Sequence, residues 1–231
     1  MTDRFVGLAV AVVFCLALLA PSAPAATFSN SAPIALAEGS AATPYPSTVS
    51  VSGVTGTVVR VRATLTQLSE KYPNDIDILL VGPGGAETLL MSDTCGSGAT
   101  PISGQTFVFD DAAPSFLPTI PGNQCVGGTY QATDFTDGVG DDHFPLPAPA
   151  GPYVATLSVF NGVDPNGTWQ LWVRDDDGEI DGSGSIAGGW SLDISTPAPL
   201  AAKKKKKKCK KKHGKHKTAI AKKKKCKKHH K

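Results

Sequence analysis

Val59-Arg60-Val61-Arg62-Ala63-Thr64-Leu65 alternates apolar and polar side chains at every step, the period of a strand with one dry face and one wet face. Working outward, Ile76-Asp77-Ile78-Leu79-Leu80-Val81 reads as a strand covered on much of both faces, and Phe107 with Phe109 as a shorter one. Ala155, Leu157 and Val159 repeat the pattern. Trp169, Leu171 and Val173 do so opposite Thr168, Gln170, Trp172 and Arg174, and Trp190, Leu192 and Ile194 do so opposite Ser191, Asp193 and Ser195. Turn formers separate the runs: Gly82-Pro83-Gly84-Gly85, Asn166-Gly167, and the stretch from Gly178 to Gly189. No stretch between residues 26 and 200 sustains helical apolar spacing, and 24 glycines and 18 prolines argue against a helical protein. Strands without intervening helices predict an all-β chain of two packed antiparallel sheets, a jelly-roll β-sandwich.

Around this segment the composition changes twice. Phe5 to Ala20 is an unbroken apolar run, followed by Pro21 and the small-residue pattern Ala23-Pro24-Ala25. That order is a secretory signal peptide over residues 1–25, and the run is shorter than the ~20 residues that cross a bilayer. The chain is therefore expected to be secreted or held at the cell surface, with no transmembrane segment after cleavage. Residues 26–197 form the globular domain and residues 198–231 a basic tail. The net charge of +3 hides a segment 26–200 with 19 acids against Arg60, Arg62, Lys71 and Arg174, and a tail with 18 lysines and no acid. Cys95 and Cys125 are the only cysteines of the globular segment, and in an oxidising compartment such a pair is expected to form a disulfide.

The run Leu68-Ser69-Glu70-Lys71-Tyr72-Pro73-Asn74-Asp75-Ile76-Asp77-Ile78-Leu79-Leu80-Val81-Gly82-Pro83-Gly84-Gly85 resembles the first signature of the P domain, or Homo B domain, of proprotein convertases and kexin-type subtilisin-like serine proteases. Phe109-Asp110-Asp111-Ala112-Ala113 resembles a second. Phe160-Asn161-Gly162, with Asp164-Pro165-Asn166-Gly167-Thr168-Trp169, Leu171, Val173 and Asp175, resembles a third, and Gly188-Gly189-Trp190-Ser191-Leu192 the last. The resemblance covers most of residues 27–197. It implies a jelly-roll similar to galactose-binding-like modules, which in that family follows a subtilisin-like protease domain and folds, stabilises or regulates it. Here the signal peptide runs directly into the P-like segment, and no Gly-x-Ser-x-Gly elbow is present. His143 is the lone histidine of the globular segment, in an acidic, proline-flanked loop. A serine nucleophile needs a base and an orienter behind it, so no catalytic residue is assigned and the chain is expected not to be an enzyme.

Asp175-Asp176-Asp177-Gly178-Glu179-Ile180-Asp181-Gly182 is the densest acidic stretch. Asp177, Glu179 and Asp181 occupy positions 1, 3 and 5 of a calcium-loop pattern with Gly182 at the turn, although the carboxylate of position 12 is replaced by Gly188. Ca²⁺ is the candidate cofactor, and a solvated hairpin loop joining two strands is the alternative. Asp110 with Asp111, and Asp141 with Asp142, are weaker pairs, because adjacent side chains on an extended chain face opposite ways. Asp75 and Asp77 point the same way and suit strand-end hydrogen bonding. Tyr72, Trp172 and Phe160 are candidates for a carbohydrate or peptide groove.

In the tail, Lys203, Lys204, Lys205, Lys206, Lys207 and Lys208, then Lys222, Lys223, Lys224 and Lys225, form charge blocks expected to stay extended and to bind polyanions. An anionic cell-envelope polymer is the expected partner, with anionic lipid or nonspecific nucleic acid as alternatives; the tail could also lie over the acidic domain. Cys209 and Cys226, with the nearby histidines, leave metal and disulfide chemistry open. The sequence thus points to a secreted, noncatalytic binding or stabilising module, with an accessory subunit acting in trans on a subtilisin-like protease, or a lectin-like sugar binder, as alternatives.

Overall fold

The structure is a computed structural model that describes residues 25–96, 100–119, 124–135, 142–178 and 183–197. Its described residues form an all-β sandwich of two sheets. The strands in chain order are β1 (Ala26–Asn30), β2 (Ile34–Ala37), β3 (Ser47–Val51), β4 (Arg60–Glu70), β5 (Ile76–Val81), β6 (Glu87–Ser92), β7 (Ile102–Phe109), β8 (Gly128–Tyr130), β9 (Thr133–Asp134), β10 (Gly167–Asp175), β11 (Ser183–Ile186) and β12 (Trp190–Ser195).

The long β4 organises the larger sheet. One of its edges pairs first with β12 and then with β11, the other pairs with β7, and β1, β2 and β8 extend the sheet outward. The alternation read at Val61, Ala63 and Leu65 puts those three side chains into the core, where they are fully buried. Near its end β4 bends, with Gln67 at φ 58° and a register shift between Leu65 and Leu68 against β7. The second sheet has the order β3-β10-β5-β6-β9, antiparallel except for the short β6–β9 pair.

Between the sheets lie Ile76, Ile78 and Leu80 of β5, Trp169, Leu171 and Val173 of β10, Trp190, Leu192 and Ile194 of β12, and Phe107 and Phe109 of β7. Buried indole N–H groups need acceptors. Trp190 Nε1 finds Ser47 Oγ at 2.9 Å, a bond that ties β12 to β3 across the core, and Trp169 Nε1 donates to the Pro165 carbonyl at 2.9 Å. At the β12 entry, Gly189 has φ +67° and a Cβ there would meet the Asn30 carbonyl oxygen, so side chains are excluded on both counts.

Two sequence expectations need correction. Ala155 to Val159 does not form a strand: Leu157–Phe160 is a 3-10 turn, because Thr156 Oγ1 accepts from Ser158 N and Asp111 Oδ1 accepts from Leu157 N at 2.9 Å. The face of β10 that carries Gln170, Trp172 and Arg174 is not simply wet, because a loop covers it and Trp172 is buried.

Cys95 and Cys125 are joined by a disulfide with Cα atoms 5.0 Å apart, both buried at the margin of the core. It closes a loop with 30 residues of sequence separation, which in the chain-entropy treatment restricts the unfolded chain by about 3–4 kcal/mol. Replacing both cysteines by alanine is expected to lower the melting temperature by about 10 °C, measured by circular dichroism under non-reducing conditions.

Candidate functional site

The β5–β10 register sets the outer face of the second sheet. Leu79 stands opposite Trp172 and Asp77 opposite Arg174, so one strand pair carries an apolar patch that ends in an ion pair. The patch is roofed by the segment from Phe144 to Tyr153. Leu79, Val81, Leu89 and Trp172 pack with Phe144 and Ala148, and with the half-buried Tyr45 and Tyr153. Tyr45 meets Trp172 edge to face at 4.7 Å between centroids, and Phe144 meets Tyr153 the same way at 5.6 Å. Tyr45 donates to the Pro145 carbonyl at 2.9 Å, and Tyr153 to the Pro149 carbonyl at 2.6 Å. Burial pushes the Tyr45 phenol up to about 12 and also raises that of Tyr153.

At the polar end of the patch, Asp77 is 1% exposed. Its Oδ1 accepts from Ser92 Oγ at 2.8 Å, and its Oδ2 lies 3.8 Å from Arg174 Nε without a hydrogen bond. Ser92 Oγ also lies 2.5 Å from Asp142 Oδ1. A hydroxyl has one proton to donate, so Ser92 cannot donate to both carboxylates at once. Burial, then the charges of Asp176 and Asp142, push the Asp77 carboxyl up to about 8 against the opposing Ser92 bond and Arg174 charge. Arg174 is divided between Asp77, Asp176 (3.9 Å) and the His143 carbonyl, to which its Nη1 donates.

The crowding continues behind β5. Burial and then the charges of Asp177, Asp175, Asp176 and Glu70 push Asp75 up to about 7, while burial is the first cause raising Glu70, Asp175 and Asp176. Asp175 Oδ1 accepts from Gly39 N at 3.0 Å and Glu70 Oε1 from Lys71 N at 2.7 Å. Strand-end hydrogen bonding thus occupies part of this set, as it does Asp75, which accepts from Asn74 Nδ2 at 2.5 Å.

Beside the roofing segment, Asp134, Asp142, His143, Phe144, Gly151, Pro152 and Tyr153 line a cleft of about 370 Å³. Burial and the Asp142 charge raise the Asp134 carboxyl. Asp110 behaves differently on the other sheet. Burial would raise it, but Arg60 pairs with it through two nitrogens, Ala112 N donates to it, and Arg62 Nε stands 3.2 Å away, and together these hold its carboxyl below the usual range. Its neighbour Asp111 turns the opposite way, to Thr156 and Leu157.

Of the residues marked from sequence, Cys95 and Cys125 come together. Asp177 lies just past β10, while Glu179 and Asp181 fall outside the described residues, as do Asp141 and every lysine of the tail. The acidic stretch runs from β10 in one sheet to β11 in the other, so it is a crossing and not a hairpin. Among the described residues no three carboxylate, imidazole or thiol groups gather as a ready-made metal site. Phe160 and Trp172 are buried core residues, and Tyr72 carries Lys71 Nζ over its ring at 5.1 Å. His143 is exposed and lines the cleft. The cleft was missed from sequence: its residues come from β9 and a proline-rich loop, and no spacing rule links Asp134 to Tyr153.

No model of a protein family matches this chain, and no curated protein matches it. Among solved structures it is similar to the Aeromonas sobria serine protease in complex with a chaperone, at 15% identity and a TM-score of 0.37, and to the serine protease of Aeromonas sobria, at 15% identity and 0.36. The matches take in 78% and 76% of this chain but 27% of each of those chains, so the chain spans about a quarter of their length. At these values neither match assigns a family or an activity.

The raised carboxyls fix a pH dependence. An acid whose folded pKa exceeds its unfolded value binds its proton more tightly when folded, so stability falls as pH climbs from the unfolded value to the folded one. For Asp75 and Asp77 that window runs from about pH 4 to about 7 and 8. The melting temperature is expected to fall across this range, and Asp77→Asn to raise it at pH 8 while leaving it nearly unchanged at pH 4.5, checked by thermal melts from pH 4 to 9.

Proposed function

We propose that this chain is an exported, noncatalytic binding module on a P-domain-like sandwich, one that docks onto and stabilises a subtilisin-like serine protease. The support is the mutual placement of four stretches that lie far apart in sequence. The strand of the Asp75–Gly85 stretch, β5, pairs over six residues with the strand of the Trp169–Asp175 stretch, β10. The Gly188–Leu192 stretch leads into β12, which pairs with β4, and Asp110 of the remaining stretch is held by Arg60 and Arg62 of that same β4. Two of the stretches that resemble one family's signatures pair directly, and the other two meet on β4, the strand that leads into the first of them, as expected if they specify a fold together. Function does not follow from fold, so the docking partner needs a direct test.

The full chain, immobilised and exposed to culture supernatant of its source, is expected to retain a serine protease that reacts with a serine-directed covalent probe, and to lengthen that protease's half-life at elevated temperature. Purified chain that cleaves casein by itself, with inhibition by the same probe, would overturn the reading. In the same proposal Asp177, Glu179 and Asp181 contribute hard oxygen ligands to a Ca²⁺ site and relieve the repulsion among residues 175–181. The lysine blocks 203–208 and 222–225 tether the module to an envelope polyanion. Deleting residues 203–231 is expected to abolish retention on an anionic resin at 0.15 M salt while leaving the melting temperature of the sandwich within a few degrees.

A further inference from the structure

The cleft bounded by Asp134, Asp142, Phe144 and Tyr153 has the chemistry of a receptor. Among the described residues its lining carries two carboxylates and one imidazole, His143, and no lysine or arginine. Asp134 Oδ1 is shut off from solvent and has no hydrogen-bond donor, a costly condition for a carboxylate oxygen. Asp142 offers its charge to the same space, and Ser92 has only a single proton for it and Asp77 together. The nearest arginine, Arg174, faces Asp77 and Asp176 and donates to the His143 carbonyl. Among the described residues, the cleft holds no permanently cationic side chain to answer these carboxylates.

The walls narrow the choice. Tyr153 and Phe144 stand perpendicular to each other at 5.6 Å, and the Tyr153 hydroxyl is anchored to the Pro149 carbonyl, so the aromatic side is held in place. An aromatic surface beside a carboxylate suits a flat, weakly hydrated cation better than a small metal ion. About 370 Å³ accommodates a single side chain, at the low end for ligand clefts. Phe135, 40% exposed and next in the chain to Asp134, adds apolar surface beside that acid in the manner of a contact region.

We propose that this cleft receives a guanidinium group presented by a partner polypeptide, with Asp134 and Asp142 as its acceptors and Tyr153 and Phe144 as its walls. The proposal stands on the cleft and does not need the partner to be a protease.

Calorimetry on the full chain with acetyl-tetra-arginine amide and acetyl-tetra-citrulline amide, at 0.15 M salt, tests it. The arginine peptide is expected to bind and the citrulline peptide, of nearly the same shape without the charge, to bind at least about tenfold more weakly. The double variant Asp134→Asn/Asp142→Asn removes two carboxylate charges with little change of volume and should weaken the arginine peptide at least about tenfold. The control Glu38→Gln/Asp193→Asn removes the same charge elsewhere and should change it less than twofold. Equal weakening in the two doubles would show diffuse attraction to an acidic domain and overturn the proposal. So would equal binding of the two peptides, or failure of the arginine peptide to bind while Ca²⁺ binds and is lost in Asp134→Asn/Asp142→Asn. Melting curves of the variants, expected to be as cooperative as those of the unmodified chain, separate loss of binding from loss of fold.

Discussion

β5 carries a carboxylate into a sheet that is covered on both faces. Ile76, Ile78 and Leu80 fill the space between the sheets, while Leu79 and Val81 lie under Phe144 and Ala148. Asp77 shares the outer face with Leu79 and Val81, so the burial that secures the strand also withdraws water from the acid. Its neighbours respond to that constraint: Arg174 sits opposite in the register, Ser92 gives its proton, and Asp142 approaches from the covering segment. The electrostatics of this end of the sandwich follow from one polar side chain on a strand whose other positions are apolar.

The two acidic motif positions show how context divides one residue type. Asp110 is also buried, less deeply than Asp77, and it meets two arginines and a backbone N–H and stays ionised, whereas Asp77 shares a single, divided arginine with other carboxylates. The first behaves as a fixed tie between β4 and the end of β7. The second is a strained junction whose relief requires a proton or some other positive charge, and the neighbouring cleft opens beside that unrelieved negative field.

Strict alternation made the central strands legible. β4, β5, β10 and β12 each bury a regular row of large apolar side chains, and such rows are visible without any knowledge of partners. Other strands leave a weaker trace: the edge strand β2 is Ile-Ala-Leu-Ala, and β11, between it and β4, is Ser-Gly-Ser-Ile, runs too short and too poor in large apolar side chains to show a period. Leu157 to Phe160 misled by carrying strand-like composition, when the deciding groups were the hydroxyl of Thr156 and a carboxylate 46 residues earlier in the chain. The cleft was invisible for the same reason. Asp134, Asp142 and Tyr153 lie on an irregular path whose shape is set by what Trp172 and Leu79 offer beneath it, and that is a fact of tertiary packing.

β1 and β12 lie side by side, Ala26 across from Ile194, so the polypeptide enters and leaves the sandwich at one corner. A fold with adjoining entry and exit can be spliced into a longer polypeptide through two short joints without parting its sheets. Evolution can therefore move such a unit among hosts as a cassette, keeping its interior and exchanging what is attached at that corner.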